Sequence, residues 1–230
     1  MTFKDLGLRP EVLQALNDLG FENPTPIQEE AIPELLSSQR DLVGLAQTGT
    51  GKTAAFGLPL IELTDFTKKH VQALIVAPTR ELGMQIASDM KTFTKHVQGA
   101  RVATIYGGAS IDKQAKEIRG GAQIVVATPG RLIDMMKRNI IKLSEVNVVV
   151  LDEADEMLNM GFKEDIDSIL EQTPEQRNVW LFSATMPKEV AKIAKNYMSN
   201  PFEVTVGTKN TTAANLEHVY YTIKERDRYP

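Results

Sequence analysis

The chain contains no cysteine. Disulfides and thiolate metal sites are therefore excluded, and the composition suits a reducing cytoplasm. It also lacks any run of about 18 uninterrupted apolar residues, which argues against a membrane span. Met1-Thr2-Phe3-Lys4-Asp5-Leu6 does not have the basic-then-apolar layout of a secretory leader, so none is expected. No internal repeat or low-complexity segment occurs. A dominant charge is missing too: residues 1–115 carry 11 basic and 13 acidic side chains, and residues 116–230 carry 15 and 17. Any nucleic-acid contact must then come from locally placed groups, not from a broad positive field. What is present, 230 residues with 42% apolar and 24% charged, suffices for one large globular domain or two small ones.

Short β-rich runs alternate with amphipathic helical stretches. Strands are predicted at Asp41–Leu45, Ala73–Ala77, Arg101–Tyr106, Gln123–Ala127, Asn147–Leu151, Val179–Phe182 and Glu203–Val206. Most are near-continuous apolar runs, as in strands covered on both faces. Helices are predicted at Pro10–Leu19 and Pro26–Ser37. Leu82, Ile86, Met90 and Phe93 form one helical stripe; Ile166, Ile169 and Leu170 form another; Val190, Ile193, Ala194 and Tyr197 form a third. This alternation predicts an α/β fold with a mostly parallel central sheet and helices on both faces. Ligands of such sheets bind at the carboxyl ends of the strands. The distinctive motifs follow Leu45, Ala77, Tyr106, Ala127, Leu151 and Phe182, all predicted strand ends.

Ala46-Gln47-Thr48-Gly49-Thr50-Gly51-Lys52-Thr53 carries the chemistry of a phosphate-binding P-loop. Its glycines let backbone N–H groups converge on phosphate oxygens at a helix N-terminus. Lys52 would reach the β- and γ-phosphates, and the Thr53 hydroxyl would ligate Mg2+. The usual pattern begins with glycine, and here Ala46 holds that place. Asp152 follows the apolar run Val148–Leu151, so its carboxylate would hold Mg2+ directly or through water. Glu153 beside it would orient and deprotonate an attacking water. A solvated helix cap would explain Glu153 but not Asp152, which directly follows four apolar residues.

With these residues in place, the chain resembles the DEAD-box RNA helicases, named for the string now at Asp152-Glu153-Ala154-Asp155. Phe21-Glu22-Asn23-Pro24-Thr25-Pro26-Ile27-Gln28 is similar to the family's adenine-reading Q motif, and Phe3 lies 17 positions before Gly20, where the family places a stacking aromatic. Pro78-Thr79-Arg80-Glu81-Leu82, Gly107-Gly108, Thr128-Pro129-Gly130-Arg131 and Ser183-Ala184-Thr185 resemble further family motifs in order. The resemblance implies a RecA-like P-loop domain that uses ATP and Mg2+. It implies adenine recognition by Phe3, Phe21, Thr25 and Gln28, whose primary amide offers both a donor and an acceptor. It implies sequence-independent RNA backbone contacts from Pro78, Thr79, Arg80, Gly107, Gly108, Thr128, Pro129, Gly130 and Arg131. Asp155, Ser183 and Thr185 would couple hydrolysis to RNA remodelling. Taken alone, Arg80 could equally be a surface pair with Glu81 or Asp89, and Ser183 and Thr185 could be helix caps.

The domain reading is a helical segment with the Q motif at 1–40, a RecA-like ATP-binding domain at 41–206, and a linker with the start of a second RecA-like domain at 207–230. No second Gly-rich-loop half follows Thr185, so the expected partner is that second domain, and slow hydrolysis is expected without it. A DNA-directed translocase, an ATP-gated RNA clamp without turnover, and a metabolic kinase are the competing readings. The kinase leaves residues 78–82, 128–131 and 183–185 unexplained.

Overall fold

Among the described residues, seven four- to six-residue strands pair entirely in parallel: β1 (Leu42–Leu45), β2 (Ala73–Val76), β3 (Val102–Ile105), β4 (Ile124–Ala127), β5 (Val148–Leu151), β6 (Asn178–Ser183) and β7 (Phe202–Thr205). Their order across the sheet is β3-β4-β2-β5-β6-β1-β7. The computed structural model describes residues 1–38 and 40–206. Residues 207–230, expected to be a linker with the start of a second RecA-like domain, lie outside the described residues.

Strand alternation divides the apolar residues between two cores. Ala73, Ile75, Val148, Val150, Trp180 and Phe182 face one layer of helices. That layer holds α1 (Pro10–Asp18), α2 (Pro26–Ser38), α3 (Lys52–Leu63) and α4 (Arg80–Phe93), preceded by a 3-10 turn at Phe3–Leu6. Leu74, Val76, Val149, Leu151, Val179 and Leu181 face the other layer. It holds α5 (Ile111–Arg119), α6 (Pro129–Lys137), α7 (Ala154–Asn159), α8 (Lys163–Glu171) and α9 (Lys188–Tyr197). Burial on both sides is why the sequence of these strands is almost uninterruptedly apolar.

Topology follows from handedness. The crossovers from β1 to β2 and from β2 to β3 run in one direction across the sheet, and every later crossover runs back. Crossovers of one hand put their helices on one face going out and on the opposite face coming back. Thus the helix after β1 and the helices after β5 and β6 leave the sheet on opposite faces. Their divergence opens a crevice at the carboxyl edge, the place where such sheets take ligands. No helix among the described residues is long and apolar enough to cross a membrane.

Candidate active site

The loop between β1 and α3 turns on two left-handed glycines, Gly49 (φ 80°) and Gly51 (φ 89°). Gly51 is required twice over. An L-residue would be strained at that φ, and a Cβ there would collide with the Gln28 amide nitrogen. Lys52 begins α3, is 6% exposed, and donates from Nζ to the Ala46 carbonyl at 3.0 Å, drawing the loop into a ring. The Thr50 hydroxyl donates to the Gln47 carbonyl at 2.7 Å. Ala46, Gln47 and Thr50 therefore shape the loop, while Thr48, Gly49, Gly51, Lys52 and Thr53 line a cavity of about 600 Å3. A volume of this size suits a nucleotide-sized ligand.

Asp152 and Glu153 line the same cavity. β5 lies two strands from β1 at the same sheet edge, so the acid and the loop are about 9.5 Å apart along the sheet. One triphosphate with its metal can touch both. Asp152 is 3% exposed. Burial pushes its carboxyl up to about 6; the Lys52 ammonium pulls the other way, and the Glu153 carboxylate adds to the rise. Its Oδ1 accepts the Glu153 N–H at 3.0 Å, whereas among the described residues no donor meets the second oxygen. The Thr53 hydroxyl likewise has no protein partner among the described residues. Two free hard-oxygen donors facing one cavity fit Mg2+ better than a soft metal. Glu153 sits in the left-handed region (φ 50°, ψ 50°), caps α7 and is half-buried at the cavity wall.

The opposite wall comes from the N-terminal segment. Phe3, Phe21, Thr25 and Gln28 all line the cavity. Phe3 is 4% exposed and stacks against Phe21, with ring centroids 6.4 Å apart. Phe21 keeps 44% of its surface exposed, so it is the more available ring. The Gln28 amide is engaged at both ends: Oε1 accepts the Thr25 N–H and Nε2 donates to the Gly51 carbonyl, each at 3.0 Å. One N–H and one lone pair of that amide remain for a ligand. Sequence reasoning missed the third wall, formed by Leu82, Gln85, Asp89 and Thr92 on α4. Their i, i+3, i+7, i+10 spacing is present in the sequence, but of the four only Leu82 belongs to the predicted apolar stripe, and none is expected in the nucleotide site.

The remaining motif residues stand away from this cavity. Pro78, Thr79 and Arg80 follow β2, Gly107 and Gly108 follow β3, and Thr128–Arg131 follow β4. These three strands are neighbours on the far half of the sheet. Arg80 makes no ion pair with Glu81 or Asp89; its guanidinium lies 4.8 Å from the Tyr106 ring centroid. Arg131 donates to the Ala109 carbonyl at 3.0 Å and to Gln114 Oε1 at 3.2 Å. Gln114 in turn donates to the Tyr106 carbonyl at 3.0 Å, so the glycine doublet is held between two side-chain ties. Asp155 Oδ2 accepts both the Thr185 N–H (2.9 Å) and the Thr185 hydroxyl (2.7 Å), and the Asp155 N–H donates to Ser183 Oγ at 3.3 Å. Burial raises the Asp155 carboxyl, but the hydrogen bonds from Thr185 and Ser183 outweigh it and hold it below its usual value. The tips of β5 and β6 are thereby joined.

The family model for the DEAD/DEAH box helicase matches residues 25–193. ATP-dependent RNA helicase DeaD of Escherichia coli is 50% identical over 222 residues, covering 96% of this chain and 35% of its own length. DEAD-box ATP-dependent RNA helicase CshA of Bacillus cereus is 45% identical over 228 residues, covering 99% of this chain and 43% of its own length. The chain thus spans between a third and a half of the length of these relatives. Among solved structures, a DEAD box protein from the hyperthermophile Methanococcus jannaschii superposes with a TM-score of 0.85 at 42% identity, covering 89% of this chain and 56% of the other. A hypothetical ATP-dependent RNA helicase from Sulfolobus tokodaii gives 0.80 at 40% identity, covering 86% and 57%.

Proposed function

Because the chain belongs to the DEAD/DEAH box helicase family, with the RecA-like fold of its structural neighbours, we propose that it is the ATP-binding part of an ATP-dependent RNA helicase. The observation that carries this reading is one cavity lined jointly by Lys52, Thr53, Asp152, Glu153, Phe21 and Gln28. Backbone N–H groups of the 48–53 loop and the Lys52 ammonium bind the phosphates, once Lys52 releases the Ala46 carbonyl. Thr53 and Asp152 would hold Mg2+, which would supply neutralisation of the phosphate charge. Phe21, with Phe3 behind it, stacks on adenine; the free donor and acceptor of Gln28 read its edge. Glu153 takes a proton from the water that attacks the γ-phosphorus; the new P–O bond forms as the bond to ADP breaks.

RNA is proposed to lie along the tips of β2, β3 and β4, touching Pro78, Thr79, Arg80, Gly107, Gly108 and Thr128–Arg131. Such contacts read phosphate and sugar rather than base. Only with a second domain closed over the cavity would the Asp155–Thr185 bridge, a rigid tie between the β5 and β6 tips, transmit between the two ligands. A second RecA-like domain, supported by the greater length of the relatives, is the proposed partner that closes over the cavity. Residues 1–40 then act as the adenine-reading segment, 41–206 as the ATP-binding domain and 207–230 as the connection to the partner. The proposed setting is cytoplasmic, without a membrane role.

Titration with MgATP and a phosphate-release assay test the reading. The chain should bind MgATP and hydrolyse it very slowly. Lys52→Ala should weaken binding by about tenfold or more, the worth of a charge-assisted hydrogen bond. Glu153→Gln should bind normally and release no phosphate. Unchanged affinity in the first variant, or retained turnover in the second, would remove these residues from their roles. Activation by RNA but not by DNA separates this reading from a DNA translocase.

A further inference from the structure

Among the described residues β3 pairs with β4 alone, and no strand lies on its other edge. Two adjoining cavities, of about 380 and 650 Å3, lie along that edge between α4 and α5. They share Lys91, Lys113 and Glu117 in their walls, so they form one groove. Its upper end reaches Tyr106, Ala109 and Ser110, beside the glycine doublet; its lower end reaches Arg101 and Lys116. From Tyr106 to Arg101 the strand covers roughly 17 Å.

We propose that this groove is a second RNA-backbone site, which continues the strand path from the Gly107-Gly108 loop down the open edge of the sheet. The inference rests on the RNA reading above. Lys91, Lys113, Lys116 and Arg101 are all exposed, and none makes an ion pair among the described residues. Among the described residues Glu117 is the single carboxylate in the lining, and it makes no ion pair there. Arg101 donates to the Gly120 carbonyl, and both residues line the lower cavity. The chain as a whole carries a net charge of −4, so this local excess of four cations over one anion is not background. Lysines near a sheet edge also deter strand addition. Here they stand on the flanking helices rather than on β3, where they wall a groove, and that deterrence disfavours an added peptide strand as the occupant. Met84, 38% exposed, lines the upper cavity with Tyr106. Apolar surface beside a row of cations suits a single nucleic-acid strand, whose bases need packing as well as its phosphates neutralising.

The test compares the chain with a Lys91→Gln/Lys113→Gln/Lys116→Gln variant in fluorescence anisotropy. The probes are oligouridylates of about six and about twelve nucleotides, lengths within the usual range of single-strand sites. The longer probe should bind about tenfold more weakly to the variant, and its slope of log K against log salt should shrink by about 2, because each single-strand phosphate contact contributes about 0.7. The shorter probe, held by the tips of β2, β3 and β4, should bind within about twofold of the parent. MgATP affinity should not change, which also certifies the fold. An unaltered slope with the longer probe overturns the inference and leaves the groove to an acidic protein segment. Equal weakening of both probes overturns it as well, since that reports a diffuse field rather than a track. Failure of the parent chain to bind either length would instead sink the RNA reading itself, and the groove with it.

Discussion

Asp152 is held in a state that costs stability. A carboxylate at 3% exposure has lost its water, and one hydrogen bond from the Glu153 N–H does not replace it. With a folded value of about 6 against about 3.9 in an unfolded chain, the native state binds more protons than the unfolded state between those limits. Stability from this group is therefore complete below pH 4 and is lost as pH rises through 6, a change of about 3 kcal/mol. Asp152→Asn should abolish that slope and melt above the parent at pH 7.5. Denaturant unfolding of both proteins at pH 5, 6 and 7.5 measures it; parallel curves would mean that the carboxylate is already relieved. The same titration predicts that Mg2+ affinity falls below pH 6, when the carboxyl protonates. A binding site of this kind stores unfavourable desolvation that a cation then relieves, which is a familiar trade between stability and function.

At the scale of the element, β1 has to deliver the loop to the sheet edge while lying between β6 and β7. Gly44 makes that possible, because a Cβ there would stand 2.7 Å from the Phe182 ring. Phe182 cannot move aside: it is fully buried and packs on Phe56 with centroids 5.2 Å apart. Gly44→Ala should destabilise the chain by about 1–3 kcal/mol through overpacking and weaken MgATP binding by displacing the loop. Unfolding midpoints check the first effect and titration the second. Such constraints explain what could be read beforehand. The strands were legible to within a residue at each end because burial on both faces leaves an apolar run such as Val148–Leu151, with an acid to end it. The helix α5 was not, since only Gln114 and Ala115 of its nine residues are buried and its sequence reads as polar. In the site, the loop and Asp152 were legible from glycine spacing and from one acid after four apolar residues. The Gln28–Gly51 bond and the α4 wall were not, because both depend on packing between segments far apart in sequence.

For the molecule as a whole, strand order sorts the motifs. The loop, Asp152 and Ser183 stand at the tips of β1, β5 and β6; the residues proposed for RNA stand at β2, β3 and β4. The two sets stand on different strand tips, although α4, which begins at Arg80, also walls the nucleotide cavity through Leu82, Gln85, Asp89 and Thr92, and both are fixed to one continuous parallel sheet packed on both faces. Coupling between two ligands requires an element with two arrangements that both ligands bias. A close-packed sheet is not such an element, and the Asp155–Thr185 bridge ties neighbouring strand tips into a single arrangement. In this chain, then, nucleotide and RNA should bind almost independently. RNA affinity measured with and without saturating MgATP, or a non-hydrolysed analogue, should differ by less than about twofold, a coupling of about 0.4 kcal/mol. Reciprocity demands the same factor when RNA is held saturating and nucleotide is titrated. Lys52→Ala should leave RNA binding intact, and Arg131→Ala should leave nucleotide binding intact. A coupling of tenfold within these residues would show that the two halves of the sheet move against each other, and the switch would have to be sought at the β2–β5 boundary rather than in a closing partner.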